Sequence, residues 1–121
     1  MLGIDLVKIE RIKQDIEKWG EKFLNKILTP AEINSCVNAI SVAGKWAAKE
    51  AVAKALGTGI KPSAGLCFKD IEIQKDQNGR PFALLSKKSA DFFGVTRVEV
   101  SISHDSEYAV AAAFVYPPPT N

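Results

Sequence analysis

Residues 45–59 read Lys45-Trp46-Ala47-Ala48-Lys49-Glu50-Ala51-Val52-Ala53-Lys54-Ala55-Leu56-Gly57-Thr58-Gly59, and the fold turns on how they are read. Ala, Leu, Lys and Glu favour helix, and Gly57 supplies a left-handed stop. At about 100° per residue, the apolar side chains from Trp46 to Leu56 fall all round the helix, the pattern of a mostly buried helix. Glu50 and Lys54 share one narrow polar stripe, and Lys45 and Lys49 lie on another. A carboxylate set in that much apolar surface needs a partner. Two readings are open: an ordinary (i, i+4) ion pair, or a metal ligand one turn from a phosphate-binding lysine. The helix alone does not choose between them.

Upstream, Met1 to Asp5 is a short apolar entry that reads as a strand ending at Asp5. Ile9, Ile12, Ile16 and Trp19 then recur at helical spacing up to Gly20, with charges of alternating sign on the outer face. A short helical piece spans about Lys22 to Leu28. Thr29-Pro30-Ala31-Glu32 is a helix start, with Thr as cap, Pro in the first turn and Glu closing a capping box. That helix is expected to run to about Ile40, and the alanine-rich helix to begin near Ser41.

Downstream, Lys61-Pro62-Ser63-Ala64-Gly65 is loop composition. Cys67 to Gln74 reads as a strand, Asp76-Gln77-Asn78-Gly79 as a hairpin turn, and Pro81 to Leu85 as the returning strand. Ser86 to Phe93 reads as a short helix stopped by Gly94. Val95 to Ser103 alternates, and Glu107 to Tyr116 is nearly all apolar, as in a strand buried on both faces. The layout is an α+β domain over residues 1–116, with helices packed on a small antiparallel sheet of hairpins. Residues 117–121, Pro-Pro-Pro-Thr-Asn, are expected to fray. The last strand and the alanine helix carry more apolar surface than one small subunit covers well, so burial between identical subunits is expected.

The bulk properties narrow the function classes. The 121 residues are 46% hydrophobic and 25% charged, with a formal net charge of +2, too small to argue for nucleic acid. Cys36 and Cys67 have no CxxC spacing and no nearby histidine, so they read as buried free thiols in a reducing compartment. No apolar run approaches the roughly 18 residues of a membrane-spanning helix. Asp5 interrupts the apolar start where a signal peptide would gather its core, and a cytoplasmic protein is expected.

Few residues could carry chemistry. Asp5 reads as a helix N-cap or as a strand-end metal ligand. With Glu50 it would suit Mg²⁺, which takes one or two carboxylates together with phosphate oxygens and water. His104, the single histidine, lies in Ser101-Ile102-Ser103-His104-Asp105-Ser106 and reads as an exposed turn residue or as part of an anion site. Zinc and serine-triad chemistry are disfavoured: soft ligands and a nucleophile elbow are both missing. Gly57-Thr58-Gly59 fits neither the Walker pattern nor GxGxxG, and it follows a helix C-terminus, the wrong dipole end for phosphate.

Taken in order, these pieces resemble the holo-acyl-carrier-protein synthases, the small 4′-phosphopantetheinyl transferases. The resemblance rests on Gly3-Ile4-Asp5, Arg11, Phe23, Ile27-Leu28-Thr29 with Glu32, the Trp46–Ala51 block and Lys54–Gly59. Phe68–Ile73, Asn78-Gly79-Arg80-Pro81 and Ser101–His104 complete it. It implies transfer of 4′-phosphopantetheine from coenzyme A to a serine of apo acyl carrier protein, releasing adenosine 3′,5′-bisphosphate. Asp5 and Glu50 would hold Mg²⁺, and Lys54 would bind the diphosphate. Lys45, Gly57, Thr58, Gly59, Ser103 and His104 would line the coenzyme A site, with Asp105 a departure from the family pattern. Arg11, Lys18, Lys22, Phe23 and Lys26 would meet the acidic carrier protein. From Lys8 to Lys26, however, six basic residues face four acids. The resemblance also implies a homotrimer with sites at subunit interfaces, and involves neither nucleic acid nor membrane. A non-catalytic trimeric binding module is the competing class.

Overall fold

The alanine-rich segment forms helix α4, Ala39–Ala55, 17 residues long, and every other element is arranged around it. The structure, a computed structural model, describes residues 1–35, 38–61, 63 and 65–116. Strand β1 (Leu2–Lys8) leads into α1 (Ile9–Trp19), α2 (Glu21–Ile27), α3 (Pro30–Ser35) and α4. After a 3₁₀ turn at Phe68–Asp70 come β2 (Ile71–Lys75), β3 (Pro81–Leu85), α5 (Lys87–Phe93), β4 (Arg97–His104) and β5 (Tyr108–Phe114). The five strands form one sheet in the order β1-β5-β4-β3-β2, every described pair antiparallel. This is the α+β architecture expected.

Why α4 is built of alanine follows from how closely it lies on the sheet. A Cβ added to Gly3 would stand 2.0 Å from the Ala51 carbonyl oxygen and 2.6 Å from the Ala55 nitrogen. One added to Gly44 would stand 3.2 Å from Ile102 Cγ2. The helix therefore crosses the sheet diagonally, from β4 at its N-terminal half to β1 at its C-terminal half. Ala47, Ala48, Ala51, Val52, Ala53 and Ala55 are all buried along the way. Facing them are Ala109, Ala111 and Ala113 of β5 with Val98 of β4, also buried.

The other sheet face is open. Leu2, Ile4 and Leu6 of β1 are 72%, 61% and 61% exposed, and Phe114 and Tyr116 are exposed beside them. Only alternate residues of β5 are buried, so the expectation of burial on both faces fails within one chain. The apolar surface remains, and it is gathered on this face.

Several boundaries move for identifiable reasons. β1 runs past Asp5 to Lys8, because the whole segment is in register with β5, Asp5 opposite Ala111. Asp5 is thus mid-strand, and the residue preceding α1 is Lys8, without a side-chain cap. α3 ends at Ser35 rather than near Ile40, and Asn38 caps α4 by accepting from the Ser41 N–H at 2.9 Å. The strand expected from Cys67 starts only at Ile71: the Asp70 carboxylate accepts from the Cys67 N–H at 2.8 Å and curls the preceding residues into a turn. Cys67 is exposed in that turn, not buried; Cys36, Cys67's expected counterpart in burial, lies outside the described residues, as do Pro62, Ala64 and 117–121. Trp19 completes the helical spacing of α1 but is half exposed, with the Lys18 ammonium 5.0 Å from its ring. The hairpin turn forms as expected, with Asp76 Oδ1 accepting from the Asn78 and Arg80 N–H groups and Gly79 at φ +80°.

The Gly3 contact is directly testable. Gly3→Ala places a methyl group against backbone that cannot give, and is expected to cost about 3 kcal/mol, the upper end of ordinary overpacking. Thermal denaturation should then show a Tm lower by roughly 10 °C.

Candidate active site

Asp5 reaches α4 because of its place in the strand. Gly3, Asp5 and Val7 share the face of β1 turned toward the helix, Gly3 and Val7 being buried. Where Gly3 lets the helix close down, Asp5 meets the polar stripe of α4. Lys54 Nζ lies 3.1 Å from Asp5 Oδ1 and donates to the Ile4 carbonyl at 3.0 Å. The lysine thus pairs with Asp5 rather than with Glu50 one turn earlier, so the (i, i+4) pair read from spacing is not made.

Glu50 is half-buried on the same stripe. Burial pushes its carboxyl pKa up, and the nearby Asp5 carboxylate pushes it further, against the opposing pull of Lys54 and Arg11. Asp5 and Glu50 are therefore close enough to feel each other's charge. No group of three or more His, Cys, Asp or Glu forms a metal cluster among the described residues. Two hard carboxylates and open surroundings fit Mg²⁺, which keeps waters and binds substrate phosphates, and do not fit zinc.

The Arg11 guanidinium lies 5.1 Å from the centre of the Trp46 ring. Trp46 in turn stacks on Phe23 (centroids 6.1 Å apart) and packs against Phe68 at 4.6 Å. Lys22, Phe23 and Lys26 line a cavity of about 400 Å³ with Asp15 and Trp19. Of the residues expected to meet a carrier protein, Arg11 thus faces α4 while Lys22, Phe23 and Lys26 gather around the α1–α2 cavity, with Lys18 over Trp19 at its edge.

The remaining expected residues are not brought to Asp5 within one chain. His104 is opposite Ala109 and so two residues and two strands from Asp5, about 12 Å by strand geometry. Ser103 and His104 line a cavity of about 320 Å³ with Leu6, Asp105, Tyr108 and Val110. Asp105 is committed to the β4–β5 turn: its Oδ1 accepts from the Glu107 and Tyr108 N–H groups at 2.7 Å each. Those bonds hold its carboxyl below the usual range. Lys45 is nine residues before Lys54, about 13 Å along the helix, and lines a cavity with Glu72, Gln74, Pro81 and Ile102. Gly57, at φ +86°, turns the chain away after α4, and Thr58 donates to the Gly59 carbonyl at 3.2 Å.

Two site features escape the spacing. Lys49, placed with Lys45 on a polar stripe, is fully buried and bonded to Glu32 at 2.6 Å. Burial pulls its ammonium pKa down, against the raising effect of Glu32. A signal was there: at about 100° per residue Lys49 projects between Leu56 and Ala53, inside the apolar arc. Glu72 is the other. Thr29 Oγ1 donates to it at 2.6 Å and Gln74 Nε2 at 2.5 Å, and these bonds hold its carboxyl below the usual range.

Comparison with known proteins finds relatives that span nearly the whole chain. Residues 1–113 match the family model described as the 4′-phosphopantetheinyl transferase superfamily. A holo-[acyl-carrier-protein] synthase of Nitratiruptor sp. is 50% identical, the match covering 95% of this chain and 97% of that protein. The corresponding protein of Halothermothrix orenii is 44% identical over 91% of each chain. Among solved structures, the Helicobacter pylori holo-[acyl-carrier-protein] synthase in complex with coenzyme A superposes with a TM-score of 0.88 at 41% identity, covering 95% of this chain and 99% of that one. No helix among the described residues is long and apolar enough to cross a membrane. With one antiparallel sheet, one alanine helix and the Asp5–Glu50–Lys54 cluster where they cross, this chain belongs to the 4′-phosphopantetheinyl transferase superfamily.

Proposed function

We propose that this chain transfers the 4′-phosphopantetheine group of coenzyme A to a serine hydroxyl of apo acyl carrier protein, releasing adenosine 3′,5′-bisphosphate, as a holo-[acyl-carrier-protein] synthase. The observation that carries it is the meeting of Asp5, Glu50 and Lys54 from opposite ends of the helical half of the chain. In the transfer, the serine oxygen bonds to the pantetheine-side phosphorus, and the bond from that phosphorus to the bridging oxygen breaks. Asp5 and Glu50 would hold Mg²⁺, which when bound offsets diphosphate charge as the leaving phosphate departs. Lys54, half exposed and now donating to Asp5, is free to turn its ammonium to a phosphate oxygen. Glu50 or a nearby water would take up the serine proton. Free, exposed Cys67 fits a cytoplasmic location.

Assembly is part of the same reading. The open face of β1 and β5 supports a homotrimer of one-domain subunits spanning residues 1–116. Leu6, Tyr108 and Val110 of that face also line the cavity of Ser103 and His104. Packing between copies would therefore complete the coenzyme A site with Lys45, Lys54, Gly57, Thr58, Gly59, Ser103 and His104. An acidic carrier protein would dock on Arg11, Lys18, Lys22, Phe23 and Lys26.

Mass spectrometry of apo acyl carrier protein after incubation with coenzyme A tests the activity: modification is expected with Mg²⁺ and none with EDTA. An unmodified carrier in both samples, with coenzyme A still bound by calorimetry, would indicate a binding module instead. Glu50→Gln is expected to lower turnover by at least about 100-fold, as for other groups that stabilise transition-state charge. The same change should raise the Tm of the ligand-free protein at neutral pH, because a carboxyl whose folded pKa is raised destabilises the fold when ionised. That gain should fade as pH falls through the raised folded pKa and be gone below 4.5, the ordinary Glu value, where both states hold the proton. Leu6→Asp should dissociate the assembly in light scattering and cost most of the activity. Lys22→Glu with Lys26→Glu should raise KM for the carrier protein by about 10-fold and leave KM for coenzyme A unchanged.

A further inference from the structure

Lys49 is 0% exposed, and its ammonium has a partner for each of its three protons: the Ile27 carbonyl at 2.6 Å, Glu32 Oε1 at 2.6 Å and the Phe68 carbonyl at 3.1 Å. These partners belong to different elements. Ile27 ends α2, Glu32 lies in α3, and Phe68 opens the turn before β2. Glu32, 2% exposed, also accepts from the Thr29 N–H at 2.8 Å and the Ile73 N–H at 2.7 Å, so it joins the end of α2 to the edge strand as well. One buried cation thus ties α4 to α2, α3 and the 3₁₀ turn, and through Glu32 to β2.

Apart from Trp46 packed on Phe23 and Phe68, and half-exposed Lys54 bonded to Asp5 and the Ile4 carbonyl, α4 meets the sheet through small residues. Gly3 of β1 lies against the helix backbone at Ala51 and Ala55, and the buried residues of β5 are alanines. Such surfaces fix distance without fixing angle, because they carry no side chain long enough to lock into a groove. Stability does not require the pair either, since a buried ion pair is often no better than an apolar replacement of the same volume. What the pair does supply is direction. We propose that Lys49 is a positioning residue for Glu50: its three fixed hydrogen bonds set the rotation and height of α4 so that the next side chain stands beside Asp5. This inference rests on the reading of Asp5 and Glu50 as a shared cation site.

The test compares Lys49→Met, Lys49→Arg and the neutralised double variant Lys49→Met with Glu32→Gln. Each is followed by Mn²⁺ binding in the presence of coenzyme A, measured by electron paramagnetic resonance, by Tm, and by kcat and KM. Outer partners that orient metal ligands are generally worth about 10- to 100-fold in metal affinity or activity. The expected result is a Mn²⁺ affinity at least about 10-fold weaker and a lower kcat with little change in KM for the carrier protein, including in the double variant even where its Tm recovers. The inference is overturned if a folded variant binds Mn²⁺ within about twofold of the parent, or if recovery of Tm brings affinity and kcat back with it. It is equally overturned if none of the three folds, which would make the role structural alone. Glu50→Gln separates the two levels: if it binds Mn²⁺ as the parent does, the cation site itself is misassigned, and the positioning role falls with it.

Discussion

The approach of α4 to β1 is the constraint on which the rest depends. A helix backbone can lie this near a strand only where the strand lacks a Cβ, and Gly3 supplies that gap under Ala51 and Ala55. Two residues along the same face, the strand presents Asp5, and one turn back along the helix stands Glu50. The same closeness forces the helix to be alanine-rich and the facing strand β5 to be alanine-rich as well. Site geometry and core composition are therefore one solution: a longer side chain at the crossing would separate the two acids.

That closeness has a cost in specificity, which the polar residues offset. Small residues where α4 crosses β1 and β5 leave few long side chains to interlock there, so directional contacts count for more. The chain places its directional contacts at two points. Lys49 is buried on the side of α2, α3 and β2, and Lys54 is half exposed on the side of β1. The buried contact is saturated and fixed, and the exposed one has solvent access and freedom to exchange partners. Two lysines five residues apart thus differ in burial and in freedom to exchange partners.

Most of the element order was legible because local signals agreed with tertiary packing. Thr29 and Glu32 form the capping box read from their spacing, Ser86 and Gly94 bracket α5, and Asp76–Gly79 makes its turn. Failures came where a distant partner decided. Local signals favour Asp5 as an N-cap, because nothing local shows that seven residues pair with β5. Cys67 read as buried strand, because the capture of its N–H by Asp70 competes with sheet pairing at short range. Glu50 and Lys54 read as a pair, because helix spacing is blind to a carboxylate arriving from another strand. Motif order singles out Asp5, Glu50 and Lys54, whereas the burial of Lys49 is hidden because its charge outweighs its position in the apolar arc.

The charges around the crossing are arranged unevenly, and the unevenness has a direction. Lys54 is bonded to Asp5, while Glu50 feels Lys54 and Arg11 only through space and is pushed toward its neutral form by burial and by Asp5. Arg11 is drawn aside over the Trp46 ring. The ligand-free site is therefore short of positive charge at Glu50 and holds its spare positive charge on flexible side chains. On the proposed reading, a diphosphate arriving with a divalent cation would meet both conditions: the acids would gain a counter-ion, and Lys54 could turn its ammonium to the phosphate. An anion without a cation would add to the repulsion between carboxylates, and a cation without an anion would have to displace Lys54 unaided. On that reading each would favour the other's entry, since the charges that one leaves unbalanced the other offsets.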